Sequence, residues 1–130
     1  MLRYGWAWSE GSPYPVVLVR LGEAPVMIEF SEATPTSAVY RIMTAYPVRT
    51  ADGFGPGSQL FPMIGLWGEA HFGVGECALY VWFSKRPGLS FSVDVPRLDC
   101  LTRGQIESTG DTSLLPKETR VGTVLLFTEN

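Results

Sequence analysis

Residues Glu76 to Val95 read ECALYVWFSKRPGLSFSVDV, and their reading decides the fold class. From Glu76 to Phe83 both alternating sets are apolar, Cys77, Leu79, Val81 and Phe83 against Ala78, Tyr80 and Trp82. A strand covered on both sides reads this way. Lys85 to Gly88 (KRPG) is a strong turn signal, because proline presets φ and glycine accepts a left-handed conformation. Leu89, Phe91, Val93 and Val95 then alternate with Ser90, Ser92 and Asp94, the pattern of a half-buried strand. Two such runs across a short turn predict an antiparallel hairpin.

The same period continues outward. Tyr4, Trp6 and Trp8 alternate with Arg3, Gly5 and Ala7, so a strand is predicted there. Ser9 to Pro15 (SEGSPYP) reads as a turn, and Val16 to Leu21 as a well-buried strand. After a four-residue connection, Gly22 to Pro25, the residues Val26, Ile28 and Phe30 face one way, completing a second hairpin. Glu32 to Ser37 reads as a loop. Tyr40 to Val48 reads as a strand with an edge position near Pro47, which has no N–H for a ladder. On the other side of the opening hairpin, Pro96 to Lys117 is polar and reads as a long loop with one helical turn around Leu101 to Glu107. Val121 to Thr128 closes the chain as a strand. Together with the helix described below, this predicts a mainly antiparallel α+β domain spanning 1–130, with about seven strands and one short helix near 58–67.

Composition agrees with a folded, strand-rich chain. Its 130 residues are enough for a proper core. Charged residues are 18%, against about a quarter in an average domain, and the mean hydropathy is +0.11. Glycine (14) and proline (10) are abundant, which favours short strands over long helices. The net charge is −3, and the 10 lysines and arginines are scattered without a basic stripe. A nucleic-acid partner is therefore not expected. No apolar run approaches a membrane span, and the start, MLRYGWAWSEG, lacks the apolar core of a signal peptide. A soluble cytoplasmic protein is the expectation, with secretion open if a signal peptide has been removed. On that footing Cys77 and Cys100 are expected to be free thiols, Cys77 as a small core residue within its strand. Two distant cysteines and one histidine do not supply a zinc pattern.

Between the two halves lies Thr50 to Gly68, TADGFGPGSQLFPMIGLWG. Gly53, Gly55 and Gly57 recur at every second position. A dinucleotide fingerprint needs its third glycine one residue later, within a βαβ unit, and a phosphate loop needs lysine where Ser58 stands. Nucleotide binding is not expected. The structural reading is a turn followed by a helix. Ser58 suits the N-cap, Pro62 fits the first turn, and Gly68 supplies a left-handed stop. Leu60, Met63 and Trp67 share one face by helical spacing.

This stretch resembles a motif of uncharacterised bacterial proteins: TADG-x-G-x-GS-x-L, a helix, then aromatic-Gly, followed by a strand and a segment like Pro87 to Asp94. The resemblance covers roughly Tyr46 to Val95 and implies a fold but no activity, cofactor or catalytic residue. An origin on a mobile gene cassette, such as an integron cassette, is an expectation of provenance that does not rest on the residues. Relatives of this kind would carry small or charged residues where this chain has Phe61, Pro62 and Ile64. An apolar outer face suggests a cover, and exposed apolar patches mark contacts. Self-association through Phe61 and Ile64, most simply as a two-fold dimer, is therefore expected. The alternative is that the chain's own long loop covers the face.

Candidate chemistry is sparse. His71, the single histidine, sits in the loop-like GEAHFGVGE with Glu69 and Glu76 nearby. A histidine beside a carboxylate can act as a general base, but no activated nucleophile accompanies it, and no catalytic residue is assigned. Asp52, Asp94 and Asp99 lack calcium-loop spacing. Asp52 reads as a turn residue bonding its own backbone, and Asp94 as solvated. Tyr4, Trp6, Trp8, Tyr80 and Trp82 either line a pocket for a small apolar or aromatic ligand or form the core. The sequence thus points to a non-enzymatic domain that self-associates, or alternatively to a small-ligand binding module, with no metal and no cofactor.

Overall fold

The computed structural model describes residues 2–9, 12–21, 24–30, 39–44 and 49–127, with side chains at 26–28, 42–44 and 49–127. These residues form eight strands: β1 (Leu2–Ser9), β2 (Ser12–Leu21), β3 (Ala24–Phe30), β4 (Val39–Thr44), β5 (Ala70–Gly75), β6 (Ala78–Phe83), β7 (Leu89–Asp94) and β8 (Arg120–Phe127). Helix α1 is Leu60–Trp67, helix α2 is Cys100–Thr109, and a single 3₁₀ turn covers Thr112–Leu114. One sheet holds all eight strands in the order β1-β2-β3-β4-β8-β7-β6-β5, and every neighbouring pair is antiparallel. The mainly antiparallel α+β class therefore holds. None of the described helices is long and apolar enough to cross a membrane.

The order consists of two meanders joined where β4 meets β8. After β4 the chain must pass β8, β7 and β6 to begin β5 at the far edge. The glycine-rich turn and α1 make that crossing. Leu60, Met63 and Trp67 on α1 are buried against Leu79, Val81 and Phe83 of β6 and against Phe91 and Val124. Ile106 of α2 completes this core. Each side chain of this size contributes about 1.5–3 kcal/mol on full burial, so the β5–β8 half and its two helices hold the main hydrophobic core among the described residues.

Several local expectations are corrected. GEAHFGVGE, expected as a loop, holds strand β5. Gly73 is there for space, since a Cβ would lie 2.9 Å from Cζ3 of Trp82. Cys77 is not in a strand. Glu76 and Cys77 form the two-residue β5–β6 turn, with φ of 50° and 69°, as a type I′ hairpin turn requires. β2 begins at Ser12, inside the stretch Ser9 to Pro15 expected to turn and ahead of the expected strand start at Val16. Pro13 and Pro15 pair with Trp8 and Trp6 of β1, while the pairing with β3 starts only at Val16. The prolines thus sit where no second ladder needs their N–H. The β2–β3 pairing runs on to Leu21 and Ala24, tighter than a four-residue connection. The extension of β4 to Val48 lies outside the described residues.

The 96–117 segment holds a full helix instead of one turn. Asp99 caps it by accepting from the Thr102 amide at 2.7 Å, and Gly110 ends it in the left-handed conformation. Ser58 is not the cap of α1. Gln59 occupies that position, and the first helical amide, of Leu60, donates to the Thr119 carbonyl at 2.8 Å. Ser58 Oγ instead accepts from the Gly55 amide at 3.0 Å, closing the glycine turn on itself. The bulge between β7 and β8 is filled by Ser92, whose Oγ accepts from the Thr123 amide at 2.7 Å.

Candidate functional site

Strand β6 alternates cleanly. Leu79, Val81 and Phe83 enter the core, while Tyr80 and Trp82 turn to the other face. That second face is not covered like the first. It borders a groove of about 480 Å³ lined by Gly73, Tyr80, Trp82, Leu89, Leu125 and Phe127, with Arg86 and Glu107 also lining it. The register explains the grouping. Trp82 pairs with Ser90 of β7, and Ser90 pairs with Leu125 of β8, so these residues share one row across three strands.

Trp82 is held in place although 41% exposed. Its ring tip passes over Gly73, and its cross-strand neighbour His71 stacks on it at 6.1 Å and 23°. His71 Nε2 is 2.8 Å from Ser84 Oγ. No carboxylate bonds His71 among the described residues, so Glu69 and Glu76 do not complete a base-and-orienter pair. His71 packs behind Trp82, and among the described residues no third group orients its ring.

The two charges of the groove are held differently. Arg86 donates from Nη2 to Asp52 Oδ2 at 2.6 Å and lies over the Trp67 ring at 5.1 Å. The same Asp52 oxygen accepts from Trp67 Nε1 at 2.8 Å. Hydrogen bonds from Arg86 and then Trp67 hold the Asp52 carboxyl below its ordinary value. Asp52 is thus not a turn residue bonding its own backbone; Thr50 does that work, with Oγ1 accepting from the Phe54 amide. Glu107, on α2, reaches across to β5, where its Oε2 accepts from the Val74 amide at 2.7 Å. This closes part of the outer edge of the sheet.

Helix α2 is fixed in that position by two further ties. Cys77 and Cys100 form a disulfide with Cα atoms 5.3 Å apart, so the expectation of free thiols is corrected. Their 23-residue separation concealed the contact, which the β5–β6 turn creates. Arg103 donates to the carbonyls of Cys77 and Val95 at 2.6 and 2.7 Å.

Of the five aromatics singled out in the sequence, Tyr80 and Trp82 line the groove. Tyr4, Trp6 and Trp8 lie on β1, at the opposite edge of the sheet order, and their side chains fall outside those described. Phe61 and Ile64 are half-buried and pack on the chain's own core. Pro62 and Leu66 are the exposed apolar side chains of α1, Leu66 at 56%. Sequence reasoning missed Gly73, Glu107, Leu125 and Phe127. A glycine interrupting an apolar strand was the available signal for Gly73; the others required the strand order. Among the described residues, no three His, Cys, Asp or Glu side chains cluster to hold a metal.

No family model matches the chain, and no curated protein matches it. Among solved structures it is similar to the uncharacterized protein yfeY from Escherichia coli, with a TM-score of 0.62 at 15% identity. The likeness covers 98% of this chain and 82% of that one. At this identity the similarity supports the fold alone.

Proposed function

We propose that this domain is a binding module for a small apolar or aromatic ligand, held in the groove beside Trp82. The observation that carries the reading is a large aromatic ring kept partly exposed yet fixed, over Gly73 and against His71. Preorganised aromatic walls lower the ordering cost of binding. The test is titration of the full chain with the neutral dye Nile red. Saturable binding that Trp82→Ala abolishes, with the far-ultraviolet dichroism unchanged, supports it. No binding, or equal binding by the variant, overturns it.

A second reading is favoured by α1, whose sequence LFPMIGLW has no charged side chain and leaves Leu66 exposed. A second copy of the chain would cover that side. Native mass spectrometry separates the readings, because a dimer and a retained small ligand add different masses.

The Cys77–Cys100 bridge also favours an oxidising compartment over the cytoplasm as the site of action. Finding the two thiols reduced in protein isolated from its natural host under alkylating conditions would overturn that assignment.

A further inference from the structure

The charges around the groove are unequal in their freedom. Arg86 lines the groove but is neutralised, with Nη2 on Asp52 at 2.6 Å and its guanidinium stacked on Trp67. Its Nη1 is turned to the Lys85 carbonyl at 3.1 Å. Glu107 lines the same groove, and it has no ion-pair partner among the described residues. One oxygen accepts from the neutral Val74 amide, and Glu107 makes no salt bridge among the described residues. Arg103, one helical turn earlier on α2, is the natural partner by spacing. It is directed elsewhere, with both terminal nitrogens on the Cys77 and Val95 carbonyls.

We infer that the ligand of this groove is an organic cation, a protonated or quaternary amine on an apolar body. The inference rests on the binding-module reading and names the ligand class for the same site. Two independent features select positive charge. Among the described lining residues, the carboxylate of Glu107 is the negative charge left over, because Arg86 is paired with Asp52. Tyr80 and Trp82 line the same groove, and an aromatic ring attracts a cation through the negative quadrupole of its face. An anion of the same shape would meet both as repulsion, and would find the guanidinium of Arg86 already paired. The apolar body would lie against Leu89 and Phe127.

The experiment is displacement of bound Nile red from the full chain by decyltrimethylammonium, decyl sulfate and decanol, each below its micelle-forming concentration. At low ionic strength the cation should compete about tenfold better than the sulfate, with decanol between them, and the preference should shrink as salt is added. Glu107→Gln keeps an acceptor for the Val74 amide and removes the charge. It should reduce the cation preference to about threefold or less while leaving decanol unchanged. Equal competition by cation and anion, or a preference that Glu107→Gln does not alter, overturns the cation inference while the groove reading stands. Failure of Nile red to bind overturns both.

Discussion

Asp52 and Trp67, 15 residues apart, are joined by a 2.8 Å hydrogen bond from the indole Nε1 to Oδ2. Trp67 is 1% exposed and is the largest fully buried side chain described. Its ring meets Phe54 and Phe83 edge-on, each at 5.2 Å, and stacks on Phe91 at 6.2 Å. The glycine-rich turn therefore contributes Phe54 to the ring and Asp52 to its one polar atom. A buried indole N–H needs an acceptor, and the turn exists in this shape to bring one.

Replacing Asp52 by Ala should lower the thermal midpoint, because it leaves the Trp67 N–H without an acceptor and Arg86 without its counter-ion. Asp52→Asn should cost less, since an amide oxygen still accepts from the indole. Thermal melts of both variants check the order; equal midpoints for wild type and Asp52→Ala would remove the structural role assigned here.

The same carboxylate predicts an acid-sensitive component of stability. Its pKa is lowered in the folded chain from an ordinary 3.8, first by Arg86 and then by Trp67. A depressed carboxylate stabilises above its unfolded value and loses that contribution as pH falls through the folded one. Asp99 and Asp111 are lowered in the same direction, by hydrogen bonds from Thr102 and Ser113 respectively, so wild type alone cannot assign the effect. Between about pH 5 and pH 3 the wild type should lose more stability than Asp52→Asn. Parallel urea-unfolding curves for the two would show that Asp52 does not contribute.

The disulfide closes a loop across a sequence separation of 23 residues. Loop-closure entropy for that length implies about 3 kcal/mol of stabilisation. Cys100→Ser, or wild type in reductant, should unfold at correspondingly lower urea. Because α2 carries Glu107 into the groove, the same treatment should also reduce the preference for decyltrimethylammonium over decyl sulfate. An unaltered preference in the reduced, folded protein would separate the tether from the groove.

The antiparallel class, the hairpin at 78–94 and the core face of α1 were legible in the sequence because each rests on local period and on turn residues. β5 was not, since Gly73 makes room for the Trp82 ring and, together with Gly75, weakens the strand's own signal. The disulfide and Asp52's partners were not, because they depend on which turns meet in space. Two of the five aromatics, Tyr80 and Trp82, were placed on the groove by the alternation of β6. The reading of both β6 faces as covered failed, because an apolar side chain lining an open groove has the same pattern as one in a core.

Gly73→Ala tests the groove without touching a lining aromatic. The added methyl would sit 2.9 Å from Cζ3 and 3.1 Å from the next ring carbon of Trp82. Both atoms are at the free end of the ring, so Trp82 can swing aside. The stability change should stay within about 1 kcal/mol, while Nile red affinity falls several-fold. A large loss of stability with unchanged affinity in the remaining folded protein would mean that the ring is packing, not a binding wall.

Leu66→Glu separates the two readings of α1. Leu66 projects from the helix into solvent, whereas Phe61 and Ile64 rest on the core. In a monomer, a charge at position 66 should alter stability by no more than about 0.5 kcal/mol. Phe61→Glu should be clearly destabilising, because it forces a carboxylate against the apolar surface that Phe61 half-covers. If two copies pair through α1, Leu66→Glu should shift the native mass from dimer to monomer with the fold intact. A dimer that survives Leu66→Glu would place the contact elsewhere on the molecule, and a wild-type monomer would leave Leu66 as an isolated exposed side chain of the kind most proteins carry.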